Sequence, residues 1–306
     1  MKRPRIVVVG SVNTDMVVKS ERIPAPGETI IGGQFVMAAG GKGANQAVAA
    51  ARLGAEVTLI AKVGADVFGD QAIDNFRREG ILADCILRDT SNATGIALIL
   101  VDEAGENLIS VASGANDALS PRDIEAAADR IRSADALMLQ LEIPMESVCK
   151  AAEIAAEASV PVILDPAPAA PLPMELLRNV AYLTPNETEA ERLTGVSVGD
   201  EAGARRAAAR LLDAGAKHVI ITLGAAGALL ADESGMTLVP SRPVNALDST
   251  AAGDAFNGAL AWALGVGMPC GEAVRRACLA GALSATRLGA QPSLPTIDEL
   301  EDFARR

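Results

Sequence analysis

The sequence predicts a three-layer α/β/α fold, with a mostly parallel central sheet covered by helices on both faces and a small antiparallel β lid. Short apolar, β-branched runs alternate with Ala-rich stretches of helical length, the pattern of parallel strands buried on both sides. Half of the 306 residues are hydrophobic and only 2% are aromatic. A large core must therefore be built from Ala, Val, Leu and Ile, which are small enough to seat helices closely on a sheet. The lid is predicted separately. Residues 13–37 and 94–113 each read as two short strands around a turn, with Pro24, Pro26 and Gly27 in one turn and Gly105 in the other,. No linker and no internal repeat divides the chain, so 1–306 is expected to be a single domain.

Strands are expected at 6–9, 57–63, 136–141, 160–164, 182–184 and 218–223, and helices at 43–53, 70–79, 145–158, 188–194, 203–214, 253–264 and 272–288. Ligands of such sheets bind beyond the carboxyl ends of the strands, so the chemistry is expected in the segments that follow them.

Composition removes several function classes. Thirty-nine acidic residues against 27 basic ones give a net charge of −12, which lacks the electrostatic footprint for nucleic acid or an anionic membrane. A polyanion would have to be held locally, by backbone amides, helix N-termini and a metal ion. Cys85, Cys149, Cys270 and Cys278 form no CxxC pair and read as reduced thiols of a cytoplasmic protein. The apolar run near the N-terminus breaks at Gly10-Ser11, too short for a signal peptide or a membrane span. The apolar stretch at 255–268 contains Asn257 and glycines and reads as a buried helix. The only histidine, His218, opens an apolar strand, which excludes most Ser-His-Asp, Cys-His and His-ligated zinc schemes. A general base is then expected to be a carboxylate.

Four segments carry candidate chemistry. Ala39-Gly40-Gly41-Lys42-Gly43-Ala44-Asn45-Gln46 is glycine-rich at a helix start but fails the Walker A pattern, because Gly43 follows Lys42 where Ser or Thr is required,. It reads equally as a strand-to-helix turn. Asn13-Thr14-Asp15 follows the first strand and Glu142 ends the run MLQLE; such groups form turns or bind sugar hydroxyls. Asn186-Glu187-Thr188-Glu189 reads as a helix N-cap with acids in the first turn,, or as a magnesium-phosphate contact. Asp248-Ser249-Thr250-Ala251-Ala252-Gly253-Asp254 runs into a long helix. There Ala252, Gly253 and Asp254 can turn successive amides inward as an anion hole. Asp254 would stand beside it, able to take a proton from an alcohol that attacks phosphorus.

With these segments in view, DSTAAGDAFNGAL resembles the C-terminal signature of the ribokinase-like (PfkB) carbohydrate kinases, GGKGANQAVAAARLGA their N-terminal signature, and NETE their NxxE motif. GSVNTD, LQLE, TLGAAGALL and GAQPS resemble the ribose-phosphorylating members, in the family's order. The resemblance implies ATP-dependent phosphorylation of D-ribose at its 5-hydroxyl, with Asp254 as base and Ala252, Gly253 and the Asp254 amide as the anion hole. Asn13, Asp15, Gly41, Lys42, Asn45 and Glu142 would hold the sugar. Asn186, Thr222, Gly224, Gly227, Gly253 and Cys278 would line the nucleotide site, with Asn186 and Glu189 in the magnesium-phosphate network. Cys278 departs from the Asn or His that related enzymes often carry near the adenine. A monovalent cation, usually potassium, would sit among Asp248, Ser293 and the backbone oxygens of Thr250, Ser284, Arg287 and Gly289. A homodimer through the lid is also implied. The alternatives are a family kinase for deoxyribose, 2-keto-3-deoxygluconate, fructose or a nucleoside, and a sugar sensor without activity. A sensor would be expected to lack Asp254 or the anion-hole glycine, and both are present. A nucleoside kinase would be expected to carry more aromatics than Phe35 in the first lid segment.

Overall fold

The computed structural model describes residues 3–305; Met1, Lys2 and Arg306 of the expected 1–306 domain lie outside the described residues. In chain order the strands are β1 (Arg5–Val9), β2 (Asn13–Lys19), β3 (Gln34–Gly40), β4 (Glu56–Gly64), β5 (Ile86–Asp89), β6 (Gly95–Val101), β7 (Asn107–Ala112), β8 (Ala136–Leu139), β9 (Val162–Leu164), β10 (Tyr182–Leu183), β11 (His218–Thr222), β12 (Ala228–Asp232) and β13 (Gly235–Val239). The helices are α1 (Lys42–Arg52), α2 (Val67–Arg78), α3 (Pro121–Ala126), α4 (Ala128–Arg132), α5 (Met145–Glu157), α6 (Met174–Asn179), α7 (Glu187–Thr194), α8 (Glu201–Asp213), α9 (Ala252–Gly265), α10 (Cys270–Ser284) and α11 (Ile297–Arg305).

Nine strands form the main sheet in the order β13-β12-β11-β10-β9-β8-β1-β4-β5. All pairs from β11 to β5 are parallel, and β12 and β13 close one edge as an antiparallel hairpin. Successive residues of β1 serve opposite cores. Ile6 and Val8 share a core with Ala47 and Val48 of α1 and Leu260 of α9, while Val7 and Val9 belong to the other core, with Val148 of α5 and Leu211 of α8. This period-two division between two apolar cores makes a three-layer molecule of strands that read as continuous apolar runs.

The six expected main-sheet strands are present. Sequence reading missed β5, the hairpin β12–β13, and the short helices α3, α4, α6 and α11. The helix expected at 272–288 stops at Ser284, because the following loop turns back to Asp248 through the Gly289 amide at 2.8 Å. The stretch expected at 255–268 is helical as the body of α9 only to Gly265 and is buried to Ala263. Among the described residues no helix is long and apolar enough to cross a membrane, and the four cysteines are free thiols. His218 donates from Nδ1 to the Ala181 carbonyl at 3.1 Å and stacks on Tyr182, a structural role at a strand start.

The lid is a four-stranded sheet, β3-β2-β6-β7. Its two hairpins, β2–β3 and β6–β7, are antiparallel as expected, but they join along β2 and β6, which run parallel. Both of these strands leave the main body in the same direction, so laying them side by side makes the seam parallel.

Candidate active site

Strand β1 lies where the chain order of the main sheet reverses: β4 and β5 follow on one side, β8 to β11 on the other. A crevice forms beyond the carboxyl ends of the strands at such a point. The groups found there are Ser11 after β1, Glu142 and Gln140 after β8, Asp165 after β9, Asn186 after β10 and Thr222 at the end of β11. Helices α1 and α9 bring their first turns to the same place. Two glycines permit this approach. A Cβ on Gly43 would stand 2.6 Å from the backbone of Gly10 and Ser11, and one on Gly258 would stand 2.4 Å from Ala49 Cβ. The cap of α1 is Gly41, with φ of 91°, a conformation that glycine adopts without strain.

The two helices meet at Asp254, which is 4% exposed. Asn45 Nδ2 donates to its Oδ2 at 2.9 Å and Gln46 Nε2 to its Oδ1 at 3.1 Å. The remaining candidates for sugar contact surround it. Glu142 Oε2 accepts from the Lys42 amide at 3.0 Å and from the Ser11 hydroxyl. Asn13 Oδ1 accepts from Asn116 at 2.8 Å, which leaves its amino group as a donor. Asn45 Oδ1 is buried without a partner among the described residues. The Asp15 carboxylate occupies the space a Cβ on Gly40 would take.

Burial pushes the Asp254 carboxyl up to about 6; Lys42, Asn45 and Gln46 oppose the rise and Asp165 adds to it. Asp15 is also pushed up to about 6, by burial and then by Glu142 and Asp254. Lys42 is drawn firmly to its charged form: burial works against it, but Asp165, Asp254, Glu142 and Glu189 outweigh burial. One ammonium thus faces several carboxylates, of which Asp15 and Asp254 are held toward their protonated form,.

Beside this crevice lies a cleft of about 670 Å³ lined by Asn186, Thr222, Gly224, Gly227, Gly253 and Cys278, the expected nucleotide positions, together with Ala252, the segment 241–244 and Ala246. Its apolar wall includes Pro243, Val244 and Phe256. Burial pushes the Cys278 thiol up to about 12, so it stands as a neutral apolar group. Arg242 also lines the cleft, but its guanidinium packs over the Phe303 ring and bonds that residue's carbonyl. Glu189 does not line the cleft. Asn186 and Glu189 form a reciprocal capping box on α7, with bonds of 2.8–2.9 Å.

The start of α9 departs from expectation in one respect. Of the three amides expected to form the anion hole, that of Ala252 donates to the Ser249 carbonyl at 3.1 Å. The Gly253 and Asp254 amides have no backbone acceptor among the described residues, as befits the second and third positions of a helix. That leaves the Gly253 and Asp254 amides as the free donors at this helix start. Asn257 braces this turn, accepting from Thr184 Oγ1 at 2.8 Å and donating to the Gly253 carbonyl at 3.1 Å.

The six positions expected around a monovalent cation belong to two loops stitched together. Asp248 accepts from the Thr250 amide at 2.9 Å, from the Thr250 hydroxyl, and from the Gly289 amide at 2.8 Å. Ser284 and Ser293 share a hydroxyl bond of 2.7 Å, and the Arg287 amide donates to the Ser284 carbonyl at 3.0 Å. The Arg287 side chain turns away to Glu299, leaving only its backbone to the loop. Burial pushes the Asp248 carboxyl up, but the Thr250 and Gly289 bonds outweigh this and hold it below the usual carboxylate value. An anionic carboxylate among hydroxyl and carbonyl oxygens is a donor set suited to a hard cation.

The profile of the pfkB family carbohydrate kinases matches residues 3–297. The chain belongs to this family. It is 44% identical to the ribokinase of Haemophilus influenzae over 301 residues, 98% of each chain. It is 38% identical to the deoxyribokinase of Salmonella typhi over 299 residues, 97% of this chain and 98% of that one. Its fold matches the structure of Arabidopsis thaliana ribokinase complexed with ribose and ATP, with a TM-score of 0.93, 33% identity and full coverage of both chains. The polar crevice and the cleft share one border, the first turn of α9.

The structure also brings in residues that the motif reading did not assign: Ser11, Gln46, Asn116, Gln140, Asp165 and Asn257. Asp165 offered the same signal as Glu142, an acid at the end of an apolar strand in VILDP. Gln46 stood inside the glycine-rich motif without a role.

Proposed function

We propose that this chain transfers the γ-phosphoryl group of ATP to the 5-hydroxyl of D-ribose, giving D-ribose 5-phosphate and ADP. One observation carries the reading: a buried carboxylate, Asp254, stands at the first turn of α9 between a polar crevice and the nucleotide cleft. Asp254 accepts the hydroxyl proton as the sugar oxygen bonds to phosphorus and the bond from phosphorus to the ADP oxygen breaks. The Gly253 and Asp254 amides and the positive end of α9 take up charge on the moving phosphoryl group. Asn13, Asp15, Gly41, Lys42, Asn45 and Glu142 orient the sugar, and holding it beside phosphorus supplies much of the rate. ATP enters as its magnesium complex, with Asn186 and Glu189 near the phosphates. Magnesium would accompany ATP and supply positive charge to its phosphates. Potassium fits the oxygen set around Asp248, where it would supply positive charge behind the loop that enters α9.

A second reading has a specific basis, since the deoxyribokinase of Salmonella typhi is 38% identical over nearly the whole chain. A site built on hydrogen bonds to hydroxyls discriminates against an analogue that leaves its groups unpaired. The test is ADP release over a panel of ribose, deoxyribose, 2-keto-3-deoxygluconate, fructose and nucleosides, run in potassium and in an equal concentration of a bulky organic cation. Ribose should give the highest kcat/KM, and potassium the higher rate. A deoxysugar, hexose or nucleoside ahead of ribose by severalfold would overturn the ribose assignment.

A further inference from the structure

Asp165 has no part in the reaction as just described, yet three elements converge on it. It follows β9, is 5% exposed, and one oxygen meets two side chains of α1. Gln46 Nε2 donates to Asp165 Oδ2 at 2.8 Å, and Lys42 Nζ lies 3.6 Å from the same oxygen. Lys42 and Gln46 stand one turn apart on one helix face. The same Gln46 nitrogen donates its other hydrogen to Asp254 Oδ1 at 3.1 Å, so a single amide joins two buried carboxylates. Its orientation is fixed from behind, because Gln46 Oε1 accepts from Gln140 Nε2 at 2.6 Å. Turning the amide over would set its oxygen against both carboxylates. A buried carboxylate is costly unless it is paired and hydrogen-bonded, and every partner of Asp165 here leads to Asp254 or to the proposed sugar site.

We propose that Asp165 is a positioning residue for phosphoryl transfer, holding the Lys42 ammonium and the Gln46 amide against Asp254. The proposal rests on the reading of Asp254 as the base. The charged groups around that base are Lys42 from α1, Asp15 from β2 and Asp165 after β9, with Glu142 after β8 and Glu189 from α7 acting in turn on Lys42 and Asp165. Lys42 is the one cation among these groups and favours the ionised base; the acids oppose it. Burial pushes Asp165 itself up to about 6, against the pull of Lys42. Asp165→Asn keeps the size and an oxygen for Gln46 but removes one opposing charge. That loss favours ionised Asp254,.

The test is the pH dependence of kcat/KM for ribose in the wild type, Asp165→Asn, Lys42→Met and the double variant, with Asp254→Asn alongside. Asp165→Asn should lose about tenfold to 100-fold in kcat, the usual result of slight misplacement. Its acid limb should move down by about one pH unit, and that of Lys42→Met should move up by a similar amount. Because both residues act through one contact, the double variant should lose little more kcat than the worse single one. A role confined to packing would lower stability and leave the limb in place. An Asp165→Asn enzyme with an unmoved acid limb, or with kcat within about twofold of wild type, overturns the proposal. Should Asp165→Asn not fold, Lys42→Met decides: an unmoved limb there overturns it as well. The two readings fail separately. An active Asp254→Asn enzyme removes the base, whereas an inactive one beside an unmoved Asp165→Asn limb removes only the role of Asp165.

Discussion

Asp254 combines properties that are rarely compatible: it is enclosed, hydrogen-bonded at both oxygens, and placed where the proposed reaction needs a proton acceptor. Asparagine has nearly its shape and cannot take the proton. Asp254→Asn should keep the fold and bind ATP nearly as the wild type does, while kcat falls about 10²–10⁴-fold, the usual contribution of a positioned base. A variant that retains more than about a tenth of wild-type kcat, too small a loss for a base, would leave Asp254 as a helix-capping acid. The pH profile gives an independent check. The carboxyl is pushed up to about 6 by burial, and only its ionised form accepts the proton. Activity should therefore be low below that pH and climb through it as pH rises, above the range of an ordinary exposed aspartate. A limb centred near 4 would place the base elsewhere. Asp254 was legible in the sequence because its position, an acid after glycine at a helix start, is itself local. Gln46 and Asp165 were not, because an amide that bridges two carboxylates exists only once α1, α9 and the end of β9 have met.

Among the elements, α9 borders both the crevice and the cleft, and its first turn offers a sharp test. Gly253 has an ordinary backbone conformation, and a Cβ built there meets nothing within 4 Å. It nonetheless lines the nucleotide cleft. Gly253→Ala should fold as well as the wild type, or better by about 0.5–1 kcal/mol, since alanine suits a helix more than glycine does. The added methyl group would stand where the proposed γ-phosphoryl group lies, so kcat should fall at least about tenfold. Thermal melts and ADP release on one preparation separate the two effects; unchanged activity would mean that no phosphoryl group approaches this turn. The elements that sequence reading found and missed differ in length and setting. Helices α5 and α8 bury one apolar face and declare themselves by periodicity, while α1 and α9, buried almost all round, declare themselves as long Ala-rich apolar stretches. By contrast, α3 has 6 residues and β5 has 4, too few for a period to show. The signal for α3 was of another kind: a capping box of Ser120 with Asp123, and Pro121 at the first helical position,. The turn between β12 and β13 was marked by Asp232, whose carboxylate accepts from the Ser234 amide at 2.8 Å.

At the scale of the whole molecule, the lid poses the remaining question, because its four strands are apolar on both sides. Register assigns the sides. Asp15 belongs to the crevice, and Ala38, Ala97 and Val111 stand in its row, with Val17, Val36, Ile99 and Ile109 two residues further on; by the alternation of strands these rows share the face turned toward the site. The opposite face carries Met16, Met37 and Leu98, and beyond them Val18, Phe35, Leu100 and Leu108. Phe35 is 63% exposed, Leu98 55% and Leu108 52%. Val36, Ile109 and Val111 on the face toward the site are exposed to a similar degree, and a contiguous apolar face of this kind on a small sheet calls for a cover. A second copy of the lid is complementary in chemistry, and a twofold pairing closes without leaving a further sticky edge. The chain should therefore behave as a homodimer at micromolar concentration, with a light-scattering mass twice that of one chain. Leu98→Glu puts a charge at the centre of the proposed contact and should weaken association by at least about 100-fold. The charge lies on the face away from Asp15, so the monomeric variant should keep its melting behaviour. A wild-type chain that scatters as a monomer, or a Leu98→Glu variant that remains dimeric, would rule out this face as the contact.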